Sequence, residues 1–455
     1  MPFVFGIAYK LRSTARTMFN RSHTEYKSSN NLRSTQIICI FVVCMKEFFL
    51  HILVLVAALV CISDALWATD TDFRVSARVG WIMPDGKVDK VVEQPNGWWG
   101  PTYSGDLSVT FRPDWQSLRI WNNAGIGVGM SYWHTAHQLL GQGIAPYCYL
   151  DIPIVRCPHF ILGLRPALGV AFMTKTYTNT VSKDALYQSL AGANQCIGSV
   201  FNFYFPEAIY MDFPIARGWS VFVGGGWYHI SNGSIRQPNS GYNIFAGEIG
   251  TRVSPYPIRE KEVRDNVQRT KSWELEMAFT GGGRQVYYRD QQTFFVAEMQ
   301  AAAYWRAHSI FRLGGGVDVF YDGAYRPRKT YFAKTNLAAA RADGSDCWRV
   351  GVSVQPEFVV GKFAGGLHIG AYMYDPVREL EPYSEAVQSP TGRIHKPIFY
   401  RYNLLKAGSA GYPDGWLYTQ VVLRYRLPWH LFIQGTMKSH LTKVEFVSIG
   451  LGTWW

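Results

Sequence analysis

From about residue 70 onward, polar and apolar positions alternate along the chain. In LYTQVVLRYRL, residues 417–427, the odd positions are Leu417, Thr419, Val421, Leu423, Tyr425 and Leu427, while the even ones include Gln420, Arg424 and Arg426. A period of two is that of a strand with one apolar and one polar face. VEFVSIGLGTWW repeats the pattern, with Val447, Ile449, Leu451 and Trp455 on one side and Ser448, Gly450 and Gly452 on the other. A soluble sandwich alternates in the same way but turns its apolar side inward. Here Tyr and Trp collect near strand ends, as in interfacial girdles, and the chain closes on an aromatic residue. The pattern predicts an all-β antiparallel transmembrane barrel of outer-membrane type, with Arg424 and Arg426 pointing into a polar lumen.

Turn signals support this reading. YLDIPIVR (149–156) and YMDFPIAR (210–217) are near copies, and YRLPWHLFIQG (425–435) is a looser third. Proline cannot donate to a ladder, so these segments mark strand ends and short turns on one rim. The longer polar segments 174–194, 232–241, 323–346 and 376–396 then belong to the opposite rim. Counting alternating runs predicts about 14 strands, within a range of 12 to 16, split between residues 70–254 and 272–455. The charged stretch IREKEVRDNVQRTKS between them reads either as a linker between two barrels or as an excursion from one. Closure at the last strand favours a single barrel over 66–455. Ahead of it, residues 1–65 read as an N-terminal extension and signal peptide, with the apolar core FFLHILVLVAALVCI and small residues ending at Ala65.

Composition narrows the class. With 15% aromatics, 43 glycines, 17% charged residues and a mean hydropathy of −0.06, the 455-residue chain is too polar for a helical membrane bundle. A net charge of +12 asks for an anionic partner. No nucleic-acid module is recognisable, so nucleic acid is excluded and anionic lipid is preferred. Arg401, Lys406, Lys438, His440 and Lys443 form a basic cluster suited to lipid phosphates. Beyond the leader, Cys148, Cys157, Cys196 and Cys347 match no metal spacing, and a Cys148–Cys157 bridge stands beside isolated thiols. His134 and His137 point to opposite faces if they lie in a strand, which argues against a metal site. The runs Gly224–Gly226 and Gly314–Gly316 open no helix, so they mark close packing or bends rather than phosphate loops.

One strand carries candidate chemistry. In WSVFVGGGWYHIS, His229 and Ser231 share parity with Val221, Val223 and Trp227, so both face outward near the long-loop rim. A histidine and a hydroxyl on a lipid-facing wall cost energy unless they are used. A serine becomes nucleophilic when a base takes its proton and a third group orients that base. A hairpin centred near Arg236 puts Asn243 opposite His229, where its amide oxygen can hold the ring. Glu248 has the wrong parity for that role. The amides around Asn232 and Gly233, and the Asn232 side chain, are candidate oxyanion donors.

These residues resemble a known family. HISNGSIRQPNSG is similar to the signature of the outer-membrane lipid A 3-O-deacylases (PagL type, acyloxyacyl hydrolases), as are NQCIGS (194–199) and TKTY (174–177). The resemblance spans roughly 70–254, and FIQGTMKSHLTKVEFVSIGLG looks like the extended members. It implies Ser231 as nucleophile and His229 as base of a serine esterase cutting an acyl chain from lipid A of lipopolysaccharide. Asn243 departs from the family, which has glutamate there, and a Ser-His-Asn set is similar to outer-membrane phospholipase A. That alternative brings outer-membrane phospholipid as substrate, a calcium ion and a homodimer into consideration; the deacylase reading needs no cofactor or metal. A pore or receptor without catalysis is the remaining class.

Overall fold

A computed structural model describes residues 71–83, 101–113, 116–181, 193–254, 272–286, 292–326, 344–375, 417–440 and 443–455. The leader over 1–65, most of the charged stretch 258–272, and Arg401 and Lys406 of the basic cluster lie outside these residues.

Among the described residues, every long element is an antiparallel strand. The first eight are β1 (Thr71–Ile82), β2 (Thr102–Phe111), β3 (Gly125–His134), β4 (Gln142–Arg156), β5 (Ile161–Met173), β6 (Phe201–Ala216), β7 (Trp219–Ser231) and β8 (Tyr242–Val253). The second eight are β9 (Ser272–Arg284), β10 (Phe294–His308), β11 (Phe311–Asp322), β12 (Trp348–Val360), β13 (Phe363–Tyr374), β14 (Leu417–Arg426), β15 (Leu431–His440) and β16 (Lys443–Trp454). The near-copied turn segments end β4 and β6, and the polar segment 232–241 links β7 to β8 at the opposite rim; 376–396 and most of 174–194 and 323–346 lie outside the described residues.

The strands close into two barrels, which corrects the expectation of one. β1 pairs with β8 from Phe73 opposite Val253 to Ile82 opposite Ile244, so the first sheet is complete before β9 begins. β16 returns to β9, with Ser448 opposite Gly282 and Trp454 opposite Glu276. The inward residues explain the choice. An eight-stranded barrel encloses just enough room for side chains, whereas sixteen strands would enclose an aqueous channel. The inward positions here carry bulky groups that meet across the lumen.

In the first barrel, Arg74 Nη2 donates to both oxygens of Asp151 at 3.1 and 3.0 Å, Arg112 donates to Asp151 at 2.9 Å, and Tyr210 Oη donates to it at 2.6 Å. Arg78 lies 3.0 Å from Asp106 and 3.4 Å from Glu248. Glu248 therefore belongs to the lumen, as its parity requires. In the second barrel Arg312 reaches Glu357 at 2.6 Å and Glu274 at 2.9 Å, while Arg424 pairs with Glu357 and Gln300.

The outer faces are the reverse. Along β9, Trp273, Leu275, Met277 and Phe279 are exposed while Glu274, Glu276 and Thr280 are buried. Charge inside and hydrocarbon outside is the arrangement a bilayer demands, because lipid satisfies no polar group and a closed sheet leaves no edge. Both sheets have the character of membrane-spanning barrels.

The basic cluster changes at two residues, and the cysteines take the second of the two alternatives left open, isolated thiols. Lys438 is fully buried, pairs with Glu445 and sits 4.7 Å from the Phe320 ring centroid, so it is a lumen cation rather than a rim ligand for lipid phosphate. It lies on the inward parity of β15, which decides its direction whatever its charge. His440 likewise turns inward, 3.1 Å from Glu445. Cys148, Cys157, Cys196 and Cys347 are all free thiols.

Removing Asp151 as Asp151→Ala takes the shared carboxylate from two buried guanidinium groups. We expect a loss of roughly 3–5 kcal/mol, measured as a shifted midpoint in urea unfolding of the lipid-embedded protein. A loss below about 1 kcal/mol would show that the lumen network does little for stability.

Candidate active site

Strand β7 delivers His229 and Ser231 to the long-loop rim, on the outward face that also carries Val223 and Trp227. The hairpin register places His229 directly opposite Asn243 of β8. The three side chains form one hydrogen-bonded line. His229 Nε2 is 2.9 Å from Ser231 Oγ, and His229 Nδ1 is 2.8 Å from Asn243 Oδ1.

A neighbour fixes the proton positions. Trp227 Nε1–H, which can only donate, reaches the same Asn243 Oδ1 at 3.2 Å. The atom meeting the indole is therefore the amide oxygen, and His229 Nδ1 must carry a hydrogen to approach it. That leaves Nε2 as the acceptor of the Ser231 hydroxyl proton. Trp227 also stacks on the imidazole, with ring centroids 5.4 Å apart, and Phe205 lies on β6 opposite His229 with centroids 6.2 Å apart. The ring is held on its edge by an amide and between two aromatic groups.

The connection over 232–241 is braced from below by the two segments singled out in the sequence. Gly241 N–H donates to Cys196 O at 2.9 Å, Asn194 Nδ2 donates to Tyr242 Oη at 2.9 Å, and Tyr177 N–H donates to Ile197 O at 2.7 Å. At Gly198 a Cβ would come within 2.5 Å of Arg236 O, so this glycine lets the two loops touch.

Asn232 differs from its expected role. Its N–H donates to Asn239 Oδ1 at 3.2 Å, and its amide nitrogen donates to Ser199 Oγ at 3.0 Å and to Arg236 O at 2.9 Å. All its donors are engaged in holding the loop, so it is a brace rather than an oxyanion donor. The Gly233 N–H makes no hydrogen bond among the described residues.

Two features were missed in the sequence. Gly241 has φ of +76°, and a Cβ there would lie 3.0 Å from both His229 Cε1 and Ser231 Cβ. The positive φ could be suspected from a Ser-Gly ending a turn; the contact with the histidine could not. The second is the neighbouring barrel. Ser234 Oγ donates to Val444 O at 2.7 Å, Gln285 N–H donates to Ser234 O at 2.9 Å, and Gln237 N–H donates to Gln285 Oε1 at 2.9 Å. Nothing local in the sequence announces these contacts, which join positions up to 210 residues apart.

Residues 103–252 match the family model described as lipid A 3-O-deacylase (PagL), and residues 273–386 match acyloxyacyl hydrolase, C-terminal domain. The first barrel thus carries a lipid A 3-O-deacylase (PagL) domain and the second an acyloxyacyl hydrolase C-terminal domain. The first match holds Ser231, His229 and Asn243; the second begins in β9. These matches make the chain an ester-hydrolysing enzyme of the outer membrane. Among solved structures, it is similar to the outer-membrane enzyme PagL at 21% identity, covering 41% of this chain and 99% of that one with a TM-score of 0.24. Neisserial surface protein A matches at 11% identity over 40% of this chain and 96% of that one, TM-score 0.26. A Rhodopseudomonas blastica porin variant matches at 8% identity over 85% and 99%, TM-score 0.18. TM-scores this low add nothing to the family match. No curated protein matches the chain.

Gly241→Ala adds strain at a positive φ and presses on the histidine. We expect the barrels to fold and ester hydrolysis to fall about tenfold or more, since small misplacements of catalytic groups cost that much. Near-normal turnover in the folded variant would show that the loop yields without moving His229.

Proposed function

We propose that the enzyme removes an ester-linked acyl chain from lipid A with Ser231 as nucleophile, His229 as general base and Asn243 as the group that orients the base. The observation carrying this reading is the hydrogen-bonded line from Ser231 through both nitrogens of His229 to Asn243, on the outer wall of the first barrel.

Ser231 Oγ attacks the ester carbonyl as His229 Nε2 accepts its proton. The developing imidazolium keeps its Nδ1–H on Asn243 Oδ1, and the Gly233 N–H stabilises the oxyanion. Collapse breaks the bond to the sugar oxygen, to which His229 returns the proton, leaving the acyl group on Ser231. Water, deprotonated by the same histidine, then releases the fatty acid. An amide supports the imidazolium less than a carboxylate does, so Asn243 acts mainly by tautomer and orientation. Exposed Arg236, five residues beyond the nucleophile, is placed for the anionic head of the substrate.

The same Ser-His-Asn line supports a second reading, an outer-membrane phospholipase A. Lipid A and phospholipids analysed by mass spectrometry from cells carrying wild-type or Ser231→Ala protein separate the two. We expect the deacylated lipid A species to disappear with Ser231→Ala, a loss of at least about a thousandfold in rate. A change confined to the phospholipids supports the second reading, and unchanged lipid in both pools overturns both. For Asn243→Leu, we expect kcat to fall about 10–100-fold, as when other histidine-orienting partners are removed; an unchanged rate would remove Asn243 from the mechanism.

A further inference from the structure

The outer walls of the two barrels line a half-open cavity of about 530 Å3, within the range of small-ligand sites. One side is Leu168, Phe203 and Phe205 of the first barrel; the other is Val421, Leu423 and Gly435 of the second, on β14 and β15. Phe203 is the cross-strand partner of Ser231, and Phe205 that of His229. The cavity therefore begins at the side chains flanking the nucleophile and runs along the wall. Near the nucleophile the walls are held together by the Ser234 and Gln285 contacts, and a Cβ at Gly233 would strike Val447 Cγ2 of β16 at 2.4 Å. At the short-turn rim Trp121 meets Phe358 edge-on, with centroids 5.3 Å apart.

We infer that the second barrel supplies one wall of a slot for the fatty acyl chain being removed, and that Gly435 sets how long a chain fits. This rests on Ser231 as the nucleophile. A chain esterified at Ser231 has to leave the rim toward hydrocarbon, and this cavity is the apolar space adjoining the nucleophile's own neighbours. A single barrel would offer an open groove shared with bulk lipid; the second wall makes it a bounded one. Gly435 is decisive because a Cβ there would meet nothing within 4 Å, so a side chain at this position starts in the open space of the slot.

The test uses the full-length protein in detergent micelles with two synthetic esters, one tetradecanoyl and one butanoyl. For Gly435→Phe, we expect the ratio of kcat/KM for the long ester to that for the short one to fall about tenfold or more, as differences of a few methylenes can yield in an apolar pocket. Cys148→Phe, projecting from the first barrel's wall, should move the ratio in the same direction, and it carries the test if Gly435→Phe fails to fold. An unchanged ratio in a folded variant overturns the slot and means that ordinary membrane lipid fills the cavity. Ser231→Ala retaining hydrolysis of both esters overturns the nucleophile assignment instead, and the slot with it.

Discussion

Everything in this molecule follows from the requirement that no strand edge be left open to hydrocarbon. A backbone N–H facing lipid has no partner, at a cost of several kcal/mol, so each sheet must find its own last strand. β1 finds β8, and β9 finds β16. Once a sheet closes at eight strands its interior has room for side chains only, and the inward arginines, carboxylates and tyrosines fill it with mutually paired groups. The outer face is then the place where a large apolar substrate can be met.

That geometry shapes the chemistry. A hydrolase facing lipid must keep its base neutral and oriented without help from bulk water. The indole of Trp227 contributes by a simple exclusion: a group that only donates can meet only the amide oxygen, and the ring hydrogen of His229 follows from it. The loop above the site is likewise held by donors and acceptors that satisfy one another, with Asn232 at their centre. The rigidity of the site is thus supplied largely by groups that take no part in bond breaking.

Much of this was legible in the chain. The two-residue period placed His229 and Ser231 outward and Glu248 inward, and counting back from the turn at Arg236 put Asn243 opposite His229, because hairpin register is set by turn length. What was not legible depended on distant partners. Closure at β8 rather than at β16 is decided by pairing between strands far apart in sequence, and the alternation is identical under either outcome. The basic cluster was misjudged at Lys438 because charge was weighed ahead of parity. Asn232 is a plausible donor in isolation, and only the positions of Ser199, Arg236 and Asn239 reveal that its hydrogens are already taken. Gly241 is visible as a turn glycine, whereas its closeness to the imidazole is a tertiary fact.

The filled interior of the second barrel has a consequence of its own. A tube crossed by Arg312, Arg424 and Glu357, all nearly or wholly shielded from solvent, draws its cohesion from the inside. Its exterior is correspondingly released from that duty, and residues there can be exchanged for others of similar greasiness while the cylinder stays intact. Such a module behaves like a replaceable jaw set against a fixed one: appetite can be retuned on one cylinder while the cutting edge, carried by the other, is left alone.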